Sequence, residues 1–157
     1  MSEEQGGGDL HRLGEQLENL SIGSAGLRDE EGNIRAVLGM AGHLFYGPYL
    51  AVPPGQYSVR MIFALDTPFT ATLGVPGIVL EAVWAQEIIA TLPLDEASLE
   101  AGVVALPFSV PRGGRTDEAP KLEIRVFSRG ECSLAVTSID LRRTTAAFRR
   151  FAVSKAA

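Results

Sequence analysis

From Asn33 to Arg142 the chain is a series of short runs whose apolar residues recur at every second position, broken by glycine and proline. Tyr57, Val59, Met61, Phe63 and Leu65 alternate with Ser58, Arg60, Ile62, Ala64 and Asp66. Leu122, Ile124 and Val126 alternate in the same way with Glu123, Arg125 and Phe127. Successive side chains of a strand point to opposite sides, so each run offers one packed face and one second face. Further strands are expected at Asn33–Leu38, His43–Tyr46, Ile78–Ala85, Gln86–Leu92, Val103–Val110 and Cys132–Arg142. The breaks carry turn chemistry: Pro53-Pro54-Gly55, Gly74 to Gly77, Arg112-Gly113-Gly114 and Arg129-Gly130. About seven to nine short strands at this spacing predict an all-β fold, an antiparallel two-sheet β-sandwich. A jelly roll is the expected topology, with an immunoglobulin-like order as the alternative.

The flanks differ from this middle. Residues 1–32 form an acidic leader in which Leu10, Leu13, Leu17 and Leu20 recur at helical spacing, interrupted by Gly14. So short a helix needs a surface to dock on, either its own domain or another copy. Residues 143–157 form a basic tail in which Thr144 or Thr145 caps a second short helix bearing Phe148 and Phe151. Such a tail reads first as a cover laid over a sheet edge, and second as a membrane-surface or partner helix. The domain reading is therefore a leader at 1–32, a sandwich at 33–142 and a tail at 143–157.

Composition narrows the function. The net charge of −5 divides unevenly: residues 1–31 hold two basic and eight acidic groups, and residues 121–157 hold eight and three. A nucleic-acid partner calls for a dominant basic surface, which is missing over most of the chain. No apolar run is long enough to cross a bilayer as a helix. The opening MSEEQGGGDL is the reverse of a secretory leader, and Cys132 is the only cysteine. The expected location is the cytoplasm, or a particle assembled there.

Reactive constellations are sparse. The two histidines, His11 and His43, have no metal-binding spacing, and no nucleophile elbow or phosphate loop is present. The expectation is no catalytic residue, no catalytic metal and no cofactor. A structural calcium ion held by loop oxygens, with Asp95-Glu96 or Asp117-Glu118 as donors, is the one variation. Cys132 reads as a buried thiol at a strand start. Among the carboxylates, Glu81, Glu87, Asp95, Glu96, Glu100 and Glu123 offer no pair that spacing selects for acid–base work.

The most distinctive stretch is Gly42-His43-Leu44-Phe45-Tyr46-Gly47-Pro48-Tyr49-Leu50, followed by Pro53-Pro54-Gly55-Gln56-Tyr57. Physically it reads as a strand ended by Gly47 and Pro48, a corner flanked by Tyr46 and Tyr49, and a tight turn before Tyr57. With Leu106–Val110 and Leu122–Val126, it resembles a segment of bacterial carbohydrate-binding-like β-sandwich domains that accompany glycosyltransferases. The resemblance spans residues 40 to 142 and implies a jelly roll of carbohydrate-binding type. No glycosyltransferase domain is attached here, so such a role falls to a separate subunit.

Candidate ligand contacts are therefore His43, Tyr46, Tyr49, Arg60, Trp84, Glu123 and Arg125. Aromatic faces cover the C–H side of a sugar ring, and planar charged groups bond its hydroxyls. Each has a plainer reading: corner packing for the tyrosines, core for Trp84, and cross-strand ion pairs for Arg60, Glu123 and Arg125. Trp84 is core if the face of Glu81 is the open one. The leading function is a non-catalytic glycan-binding or polysaccharide-pathway accessory module whose partner is an oligosaccharide or polysaccharide. The alternative is an assembly or attachment protein, such as a phage-like particle spike recognising a surface polysaccharide, built as a homo-oligomer or larger assembly. A carboxylate-dependent carbohydrate-active enzyme is third.

Overall fold

The computed structural model describes residues 20–66, 77–112 and 120–143. The leading helical stripe through Leu17, the tail from Thr144, and Asp117-Glu118 lie outside the described residues. Among the described residues, ten strands and one helix follow in order: β1 (Ser21–Ile22), β2 (Gly26–Arg28), β3 (Ile34–Ala36), β4 (Gly42–Leu50), β5 (Gly55–Leu65), β6 (Ile78–Trp84), β7 (Glu87–Pro93), α1 (Glu96–Ala101), β8 (Val103–Val110), β9 (Leu122–Ser128) and β10 (Leu134–Arg143).

The strands form two antiparallel five-stranded sheets, one ordered β1-β4-β9-β6-β7 and the other β2-β3-β10-β5-β8. Hydrogen-bonded neighbours nest in sequence: β3 pairs with β10, β4 with β9, β5 with β8 and β6 with β7. A long antiparallel ribbon wrapped into two layers gives this nesting, and it is the jelly-roll order. β1 and β2 each add a short strand at one edge.

The alternation expected from sequence sets which side faces in. On β8 the pattern is strict, with Val104, Leu106, Phe108 and Val110 buried and the residues between them exposed. Tyr57, Val59, Met61 and Phe63 of β5 meet Leu122, Ile124 and Val126 of β9 within one core drawn from both sheets. At roughly 25 cal/mol per Å² of apolar area, that shared layer is the main term favouring the fold.

Local chemistry fixes the connections. Asp95 caps α1, its carboxylate accepting from the Ser98 N–H at 2.8 Å and the Ser98 hydroxyl at 2.7 Å. Gly102 ends the helix at φ 74°, where an added Cβ would come within 3.1 Å of the Phe63 carbonyl oxygen. Only Leu99 of this helix is buried. Tyr57 is fully buried, donates its hydroxyl to the Pro53 carbonyl at 2.6 Å and stacks on Phe108. Its ring packs the corner that follows the Pro53-Pro54-Gly55 turn.

Two expectations are corrected. Gly47 and Pro48 do not end a strand: β4 continues to Leu50, with a cis Gly47–Pro48 peptide and a break in register between Gly47 and Leu50. Ala85 and Gln86 are not strand residues but the two-residue turn joining β6 to β7, at φ 51° and 68°. Neither residue type advertises a positive-φ turn, which asparagine and glycine normally fill.

Candidate functional site

The outer face of the β1-β4-β9-β6-β7 sheet collects most of the candidate residues. Register pairs place Ser21 beside Tyr46, Tyr46 beside Arg125, Arg125 beside Glu81, and Glu81 beside Thr91. Paired residues of adjacent strands share a face. A polar row therefore crosses all five strands, about 20 Å at the usual interstrand spacing.

Apolar groups lie on both sides of the row. On one, His43 and Phe127 are register partners whose rings meet edge to face at 5.4 Å, and Val79 continues the line. On the other, Glu123, Val83 and Ile88 align across three strands. Ile88 is 55% exposed, whereas Val83 is 1% exposed although it points away from the shared core.

β4 is irregular in a way that builds this face. A shift between His43 and Phe45 lets consecutive Leu44 and Phe45 both turn inward, fully buried. His43 and Tyr46, three residues apart, consequently both face outward. The second irregularity, after Gly47, brings Tyr49 to the same side, where its hydroxyl lies 3.4 Å from Glu123 Oε2 as donor. Tyr49 is 56% exposed. Its phenol is pushed above the ordinary value by burial first and then by the Glu123 carboxylate, with Tyr46 adding and Arg125 opposing.

Arg125 Nε stands 3.6 Å from Glu123 Oε1, an ion pair too long to be a hydrogen bond. That nitrogen is inaccessible to solvent and has no hydrogen-bond partner. Among the described residues neither the rest of the guanidinium nor the Glu81 carboxylate has a hydrogen bond, and Glu81 has no ion pair. Planar donors and acceptors thus stand together with their capacity largely unused.

Two candidates lie elsewhere. Trp84 is 8% exposed and belongs to the core, as follows from Glu81 holding the open face. Arg60 sits on the other sheet, opposite Asp140 in register and paired with it at 3.3 Å. The expected row of Arg60, Glu123 and Arg125 therefore splits between the two sides of the sandwich. Sequence reasoning missed Thr91 and Ile88 as members of the face, since β7 shows no clean alternation to orient it.

Other chemistry is thin. Among the described residues no three His, Cys, Asp or Glu side chains gather as a metal site. Asp95 Oδ1 accepts both hydrogen bonds at the cap of α1. No described helix is long and apolar enough to cross a membrane.

No family model matches the sequence, and no curated protein matches it. Among solved structures, the chain overlaps a family 6 carbohydrate-binding module of a laminarinase from Zobellia galactanivorans, with TM-score 0.49 and 12% identity over 81% of this chain and 95% of that one. It also overlaps a carbohydrate-binding module of Cellvibrio mixtus lichenase 5A solved with cellotriose, with TM-score 0.48 and 15% identity over 82% and 94%. A cyclase from Fischerella sp. TAU overlaps with TM-score 0.47 and 12% identity over 72% and 64%. Similarities at this level assign neither a family nor a ligand.

Proposed function

We propose that the protein is a carbohydrate-binding module whose binding surface is the outer face of the β1-β4-β9-β6-β7 sheet. The observation that carries this reading is the row Ser21–Tyr46–Arg125–Glu81–Thr91, polar across five strands and bordered by exposed Tyr49 and Ile88. A sugar ring presents apolar C–H edges and hydroxyls that both donate and accept. Arg125 supplies donors, Glu81 and Glu123 supply acceptors, and Tyr49 supplies an aromatic face. The same reading follows from the resemblance noted in the sequence. In a cell the module serves as an accessory subunit that holds a polysaccharide for a separate enzyme.

Titration of the protein with neutral oligosaccharides, followed by ligand-observed NMR, tests the proposal. Tyr49→Ala and Arg125→Ala are each expected to weaken binding by about tenfold or more. Arg60→Ala, on the opposite sheet, is expected to leave it unchanged. Binding lost on Arg60→Ala but kept on Arg125→Ala moves the site across the sandwich and ends this version.

A carboxylate-dependent glycosidase is the second reading, because Glu81 and Glu123 flank Arg125 on one face. Release of reducing ends by the wild type, abolished in both Glu81→Gln and Glu123→Gln, would replace the first reading with this one.

A further inference from the structure

We infer that this face takes uncharged saccharides and rejects those bearing carboxylate, sulfate or phosphate groups; the inference rests on the carbohydrate-binding reading above. Among the described residues of its five strands, the face carries one guanidinium, Arg125, against two carboxylates, Glu81 in register beside it and Glu123 two residues away on the same strand. Within the strands of this face an anionic sugar has one cation to address, Lys121 standing exposed just before β9. Arg125 already faces Glu123 Oε1 at 3.6 Å, so the incoming anion must sit beside two like charges.

Like charges a few ångströms apart on a partly desolvated surface repel by an amount worth about tenfold or more in affinity at low salt. Neutral hydroxyls meet no such barrier. One hydroxyl donates to a carboxylate while its neighbour accepts from the guanidinium, so the mixed row is used as it stands. The molecule's net charge of −5 acts in the same direction at longer range.

The experiment compares neutral gluco- and manno-oligosaccharides with oligogalacturonate and alginate-derived uronates of equal length, at about 20 mM and 500 mM salt. Wild-type protein is expected to bind the best neutral ligand about tenfold more tightly than the best uronate at low salt, with the gap narrowing at high salt. Glu81→Gln and Glu123→Gln together, with folding checked by circular dichroism, are expected to close most of that gap by improving uronate binding. Uronates bound as tightly as neutral sugars by the wild type would overturn this inference while leaving glycan binding standing. Binding of neither class would overturn the glycan-binding reading itself.

Discussion

At the scale of single residues, the turn at Ala85 and Gln86 shows where sequence and conformation disagree. Both residues hold positive φ, a conformation that costs an L-residue roughly 1–2 kcal/mol. Ala85→Asn with Gln86→Gly supplies the residues such a turn prefers. The double variant is expected to gain about 1–2 kcal/mol and raise Tm by roughly 2–6 °C, read by thermal unfolding. Cys132 gives a second test. Burial first, and Glu131 second, push its thiol from near 9 up to about 11. The native state then keeps a proton that the unfolded chain releases. The thiol's contribution is complete below pH 9 and declines as pH rises toward 11. Wild type should lose more stability over that window than Cys132→Ala, measured by urea midpoints at both ends. His43, Tyr46 and Tyr49 explain what could be read in advance and what could not. Their chemistry was visible in the sequence, but a spacing of three within a strand should scatter them over two faces. Two irregularities in β4 undo that rule, and only the pairing with β9 reveals them. Arg60 misled for the opposite reason. Its strand alternates cleanly, yet alternation cannot say which of two sheets a strand joins.

At the scale of elements, strand identity was legible because period-two runs and Gly/Pro breaks coincide, with β8 matching its expected bounds residue for residue. Strand order was not, since nesting β3 with β10 depends on contacts about a hundred residues apart in the chain. The long edges carry breakers that a run of Val, Ile and Leu would otherwise need. On β7, Ala90 and Ile88 face consecutive residues of β6, leaving Ile89 as a bulge, and Pro93 closes the strand. On β8, Pro107 interrupts the donors of the edge. Bulges and prolines at edges discourage strand-to-strand association between molecules. Pro107→Val restores a donor at that edge. Dynamic light scattering should show the variant self-associating at concentrations where the wild type keeps its size; equal behaviour would mean the edge is protected by other means.

At the scale of the whole molecule, the two sheet faces differ in how their charges are held. Outward from the β2-β3-β10-β5-β8 sheet, Arg60 pairs with Asp140 and Arg35 with both Asp29 and Asp66, while Arg142 stands exposed beyond them. The opposite face keeps Arg125 between Tyr46 and Glu81 with a sequestered Nε that no acceptor satisfies. A desolvated donor left without a partner costs about 1–3 kcal/mol. The free protein therefore forgoes robustness that a plainer surface would give it. Arg125→Met with Glu123→Gln should unfold at the same or a higher temperature than wild type and, on the carbohydrate-binding reading, bind saccharide less well, a trade of sturdiness against usefulness. A fall in Tm of several degrees would recast the guanidinium as a girder. On the carbohydrate-binding reading, ligand arrival supplies the missing acceptor, and the complex should resist heat more than the empty protein, by an increment that grows with saccharide concentration.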